Sequence, residues 1–191
     1  GIYPAKTGYL KPVGEWNSQT IVAIEDHIMV IVNGAVIVDA FLDDITPVDG
    51  TPHPGMKNKS GHIMLAGHSD RVEFKNLQVA DYSTSPTKPK TTADNSPPEG
   101  FTAFFNGKDL TGWKGLAHGN ANERYKLQGE ALTDAQAKAD VVMNEHWSVK
   151  DSVLTYDGKG QSLCTSKDFG DFEFYIDWKI PPGADSCIYL R

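Results

Sequence analysis

Cysteine is scarce in this chain, with two residues in 191. That excludes a disulfide-framed small fold, and the spacing of Cys164 and Cys187 matches no zinc motif. Each falls in a predicted strand. Two small buried residues is the simpler reading, and a disulfide requires those strands to be neighbours. Long apolar runs are missing too: no stretch of about 18 apolar residues exists, so no helix is expected to span a membrane. Basic clusters are absent, and at a formal net charge of −7 nothing offers the phosphate-binding footprint of a nucleic-acid partner. Helical periodicity is confined to Thr133–Glu145, where Thr133 stands as a cap before Ala135, Ala137, Ala139 and Val142. No Ser-His-Asp arrangement is recognisable, the glycines around Ser162 form no nucleophile elbow, and no glycine-rich segment joins a strand to a helix as a phosphate loop does.

What remains is β-rich. Hydrophobic content of 39% and charged content of 23% suit a globular chain long enough for one domain with a real core, or for two partial ones. Alternation is strictest near the end: Phe172, Phe174, Ile176, Trp178 and Ile180 share one face, and Glu173, Tyr175, Asp177 and Lys179 the other. That is a strand with one dry face. Pro181-Pro182-Gly183 breaks it and a new strand begins at Cys187, so Trp147 to Arg191 reads as three strands with turns between them. Earlier, Asn33-Gly34 between two β-branched runs is a strong hairpin signal. Strands are expected at 15–24, 62–66 and 71–79, the last with a bulge between Phe74 and Leu77. Asp43, Asp44 and Asp49 lie in a proline-rich loop. They could offer oxygen ligands to calcium, but their spacing is no EF-hand and a solvated acidic loop accounts for them. No cofactor is otherwise indicated.

Ser83 to Gly100 is a different material, rich in Ser, Thr, Pro and Lys and almost devoid of apolar side chains. It is expected to be an extended, mobile linker between a block at 1–82 and a block at 101–191.

The second block carries a resemblance. Trp147-Ser148-Val149-Lys150-Asp151-Ser152-Val153-Leu154, Gly160 to Thr165, Asp171-Phe172-Glu173 and Pro182-Gly183-Ala184-Asp185-Ser186-Cys187-Ile188-Tyr189-Leu190-Arg191 resemble the first half of the 3-keto-disaccharide hydrolase family, whose beginning is resembled by Phe101 to Trp113. Lys11 to Asn17, Asn33-Gly34, and Gly61 to His68 through Phe74-Lys75-Asn76-Leu77 are similar to the family's second half. The resemblance implies an all-β, concanavalin- or laminin-G-like jelly-roll sandwich with one peripheral helix, in a bacterial sugar-processing protein of the periplasm or extracellular space. Gly1-Ile2-Tyr3-Pro4 has neither the basic start nor the apolar core of a signal peptide, as in a mature exported chain. The later half comes first in this chain. It reads foremost as the end of one domain followed by the start of another. A permuted single domain, or halves completed by a neighbouring chain, would also give this order.

By alternation, Tyr175, Asp177, Lys179, Tyr189 and Arg191 point outward in the second block, and His62, Met64 and Ala66 share a face of the first with His68 just beyond. Rings for stacking, with carboxylate, guanidinium and imidazole groups for hydroxyls and a ketone, suit a sugar. The same alternation also makes a plain solvated sheet face. The resemblance implies that His68, Asp185 and Arg191 lie at the sugar site, as catalytic residues, while alternation offers Tyr175, Asp177, Lys179, Tyr189 and His62 for binding substrate. Ala66 stands where the family often has glutamine, and Cys187 where it commonly has glycine. An ordinary glycosidase needs two carboxylates about 5–10 Å apart, for which Asp177 and Asp185 are the pair on offer. A 3-keto-sugar asks for less, because the ketone acidifies the neighbouring C–H. Elimination and hydration can then replace direct displacement, with His68 as the base and Arg191 as the electrophile. The alternative is a carbohydrate-binding or surface-assembly module without catalysis, associating with copies of itself.

Overall fold

A computed structural model describes residues 2–82, 97, 100–119, 124 and 126–190. The mobile linker expected over 83–100 lies outside the described residues except at Pro97 and Gly100, and so does Arg191. The strands, in chain order, are β1 (Asn17–Ile24), β2 (His27–Val32), β3 (Ala35–Phe41), β4 (Ile63–Leu65), β5 (Val72–Asp81) and β6 (Thr102–Ala103), then β7 (Trp113–Gly115), β8 (Trp147–Lys150), β9 (Val153–Tyr156), β10 (Leu163–Thr165), β11 (Phe172–Lys179) and β12 (Ile188–Leu190). Helix α1 (Gly129–His146) lies between β7 and β8. The strands form two antiparallel sheets. The larger runs β3-β2-β1-β11-β5-β9-β8 with β6 beside β5, and the smaller runs β12-β4-β10-β7.

The dry face of β11 is the centre of the larger sheet. Phe172, Phe174 and Ile176 are buried to 1% exposure or less, and meet Phe74, Leu77 and Leu154 on one side and Ile63, Leu65 and Leu163 of the smaller sheet on the other. The molecule is therefore an all-β jelly-roll sandwich with a peripheral helix. Among the described residues no helix is long and apolar enough to cross a membrane.

Local chemistry explains the connections. Asn33 (φ 50°) and Gly34 (φ 85°) are both left-handed, the requirement of the tight turn that joins β2 to β3. Asn76, at φ 55°, is the expected bulge: Gln78 pairs with Tyr175 and Lys75 with Asp177, so two residues of β5 oppose Ile176 alone. This shift returns Leu77 to the core. The stretch from Trp147 onward holds five strands rather than three. Asp151 and Ser152 both adopt positive φ and fold what reads as one run into the β8–β9 hairpin. The helix starts before Thr133, which sits inside its first turns and donates its hydroxyl to Gly129 O at 3.2 Å. Gln128 takes the cap position with no side-chain cap bond.

The helix is peripheral but specifically docked. Ala139 and Met143 are its buried residues, and a Cβ on Gly115 would collide with Ala139 O. Asp140 Oδ1 accepts from Gly115 N at 2.9 Å and Gln136 Nε2 donates to Gly115 O at 2.9 Å. The otherwise open edge at β7 is thus covered.

Each sheet draws on both blocks. In the larger, β1 and β5 from the first block flank β11 from the second; in the smaller, β4 lies between β12 and β10. We propose that the two blocks form one sandwich in permuted order. A protease site inserted between Lys88 and Thr92 tests this. After cleavage the two pieces are expected to co-elute at the mass of the intact chain, whereas separation into two species would mean that each block belongs to another domain.

Candidate functional site

The outer face of the smaller sheet forms the floor of a groove. Pairing aligns Tyr189 with Met64, Met64 with Cys164 and Cys164 with Lys114, a row that crosses all four strands. The alternate residues Ile63, Leu65 and Leu163 are fully buried, so this row faces out by the pleat. Helix α1 forms a wall through Leu132 and Gln136, and the cavity measures about 660 Å³.

His62 stands at the groove's rim, held on both sides. Its Nδ1 lies 2.8 Å from Asp168 Oδ1, and Lys114 Nζ lies 2.9 Å from Nε2. An ammonium can only donate. Nε2 therefore accepts from Lys114, and Nδ1 carries the proton toward Asp168. Neither Asp168 nor Lys114 stands out in the sequence. Lys114 is signalled only by alternation between Trp113 and Gly115, and its meeting with His62 depends on strand pairing far along the chain.

Beyond Tyr189 lies a second group. His68, which follows β4, and Asp185 and Cys187, which precede β12, bring their imidazole, carboxylate and thiol atoms within 4.8 Å of one another. The thiol of Cys187 and the Tyr189 side chain are hydrogen-bonded, which ties this cluster to the groove. Burial, reinforced by the Asp185 charge, pushes the Cys187 thiol above its ordinary pKa. The backbone beneath is closely held. Ala66 N donates to Cys187 O at 2.8 Å, and Ser186 Oγ donates to Ala66 O at 3.1 Å. A Cβ on Gly67 would lie 2.8 Å from Gln161 O, closer than real contacts allow. Fully buried Tyr156 shares its hydroxyl proton between His68 O at 2.9 Å and Gly160 O at 2.8 Å. Burial raises this phenol's pKa, so it remains a donor.

The two cysteines are both free. Strand β4 lies between β10, which carries Cys164, and β12, which Cys187 precedes. Two inter-strand spacings, about 9–10 Å, exceed the reach of a disulfide. Burial pushes the Cys164 thiol up to about 11.

Tyr175, Asp177 and Lys179 point outward, as alternation requires, but from the larger sheet. The structure does not bring them to His68 and Asp185, which lie on the other side of the sandwich. They are engaged with neighbours instead. Asp177 accepts from Tyr175 Oη at 2.9 Å and from Asn76 Nδ2 at 2.6 Å. This also separates Asp177 from Asp185 as a carboxylate pair. Lys179 Nζ reaches Glu73 Oε2 at 2.5 Å and sits 4.8 Å from the centre of the Trp16 ring. Burial works to raise the Glu73 carboxyl, but hydrogen bonds from Lys179 and Arg71 outweigh it and hold the pKa below its ordinary value. In the acidic loop, Asp49 spends its carboxylate locally, accepting from Thr51 N at 3.0 Å and pairing with His53 Nε2 at 3.0 Å.

An antiparallel sandwich with an open groove on the outer face of one sheet, edged by Tyr189 and carrying a few polar groups, suits a carbohydrate-associated jelly roll. The chain matches the 3-keto-alpha-glucoside-1,2-lyase-like domain over residues 1–80 and 100–191, and it belongs to that family. No curated protein and no solved structure matches it closely enough to add to this.

Two measurements check the site's framework. Tyr156→Phe leaves the carbonyls of His68 and Gly160 without their buried donor and is expected to cost about 1–3 kcal/mol in urea unfolding; an unchanged midpoint would mean that water replaces the hydroxyl. Lys179→Ala is expected to cost roughly 1 kcal/mol at pH 7. The Glu73 carboxyl is depressed in the folded state, so its pairing stabilises above the unfolded value of 4.5 and is lost as pH falls through the folded value. The cost of Lys179→Ala therefore shrinks on acidification, and a cost independent of pH would assign Lys179 a packing role alone.

Proposed function

We propose that the protein cleaves 3-keto-glycosides outside the cytoplasm by elimination across C1 and C2 of the keto sugar, followed by hydration. One observation carries this reading. His68 from the first block and Asp185 from the second arrive within 4.8 Å of each other beside a groove of sugar-holding size.

The chemistry follows from the ketone. With a carbonyl at C3, the C2 hydrogen is acidic and the C1 oxygen substituent is β to the carbonyl. The His68 imidazole takes the C2 proton and the electrons pass into an enolate. Their return forms the C1–C2 double bond and expels the C1 oxygen, which leaves as an alcohol after taking up a proton. Water added across that bond completes a net hydrolysis. The Asp185 carboxylate stabilises the imidazolium formed in the first step. Tyr189 offers a ring face at the junction of cluster and groove, and the Lys114 ammonium, with two N–H groups beyond the one it gives His62, provides donors for sugar hydroxyls. The electrophile at the ketone oxygen in this scheme is Arg191, which lies outside the described residues.

The test is release of nitrophenol from a nitrophenyl 3-keto-glucoside, with solvent deuterium followed at C2. Wild type is expected to turn over and to exchange the C2 hydrogen. His68→Gln is expected to lose about 10²–10⁴-fold in rate, while Tyr175→Phe stays near wild type. Binding of the sugar with no turnover would replace this reading with a carbohydrate-binding module, and full activity in His68→Gln would remove His68 as the base.

A further inference from the structure

We propose that His68, Asp185 and Cys187 bind one divalent cation of borderline-soft character, Zn2+ foremost. An imidazole, a carboxylate and a thiol converge with their ligand atoms within 4.8 Å of one another. Tetrahedral zinc, with bonds of about 2.0–2.3 Å, holds its ligand atoms roughly 3.3–3.8 Å apart. Closure by about 1 Å is thus all that is asked of a set in which His68 and Asp185 are exposed and free to turn.

The donor set chooses the metal. Calcium and magnesium take oxygen, and a thiolate with an imidazole favours zinc and its neighbours. Three protein ligands leave a fourth position for water or a sugar oxygen. Among the described residues, no cation pairs with Asp185 and no side chain hydrogen-bonds the His68 ring, so neither has to give up a protein partner to bind the ion. Support comes from the surroundings. The Asp185 backbone N–H donates to Asp70 Oδ2 at 3.4 Å, Cys187 is tied to Ala66 through the backbone, and Tyr189 hydrogen-bonds the thiol. Such outer contacts orient ligands before the ion arrives.

Occupancy has a consequence that rests on the reading above. The cation takes the imidazole lone pair that would otherwise accept the C2 proton, so the zinc-loaded protein is the inactive form and chelation restores turnover.

Titration of the full chain with Co2+, without sugar, tests the site independently of that consequence. One equivalent is expected to give thiolate-to-metal charge transfer in the near ultraviolet and tetrahedral bands in the visible, both displaced by Zn2+. Cys187→Ala abolishes the charge transfer, Asp185→Asn and His68→Gln weaken Co2+ binding at least about tenfold, and Cys164→Ala leaves the spectrum unchanged. A wild-type chain with no charge-transfer band, or a Cys187→Ala chain that keeps it, overturns the site. Turnover of 3-keto-glycosides with no Co2+ binding removes the metal site alone, and Co2+ binding with no turnover in chelated protein removes the glycoside reading alone.

Discussion

The structure depends on the burial of one face of β11. Phe172, Phe174 and Ile176 sit between β1 and β5 and beneath the smaller sheet, and each such side chain removed from water contributes about 1.5–3 kcal/mol. The strands that flank it on both sides, β1 and β5, come from the first block. Sequence distance is the cost: these pairs close large loops, which slows folding more than it weakens the folded state. The bulge at Asn76 belongs to the same arrangement. Without the extra residue, strict alternation beyond Phe74 would turn Leu77 outward and leave the space over Ile176 unfilled.

The smaller sheet is managed differently at its two edges. At β7 the helix supplies partners to Gly115 and shields the strand; at the other edge, among the described residues, β12 pairs with β4 alone. Covering one edge confines the groove between the helix wall and Tyr189. The same arrangement places the His68, Asp185 and Cys187 cluster at the end of the β12 edge, away from α1.

Much of this was legible in local chemistry. The Asn33-Gly34 hairpin, the dry face of β11 and the bulge before Leu77 all follow from side-chain period and turn preference, and all are present. The β8–β9 hairpin was not legible, since Asp151-Ser152 is a turn only when both residues take positive φ, and neither is glycine. Helix propensity likewise misplaced the start of α1, because Thr133 is as content donating back to Gly129 as capping. The candidate site divides along the same line. Alternation says that Tyr175, Asp177 and Lys179 face out, correctly, but cannot say out of which sheet. That choice rests on pairings between distant segments, which also decide that Lys114 meets His62 and that β4 keeps the cysteines apart.

The residues assigned to sugar chemistry share one property: they come from both blocks. His68 lies in the first, while Asp185, Cys187 and Tyr189 lie in the second, and the backbone bonds between Ala66 and Cys187 hold the two segments in register. Neither block alone contains the site, so the proposed reactivity is conditional on the same interleaving that buries β11. Chain order is immaterial to such a site. What matters is that β4 and β12 end up as neighbours, because the proposed elimination needs a proton acceptor and the carboxylate that steadies its charge held together before substrate arrives. Fully buried Tyr156 serves this from the core side: it fixes the carbonyl of His68 from within the apolar interior while the ring stays at the surface. A rigid anchor below an exposed side chain gives positional precision without burying the imidazole itself.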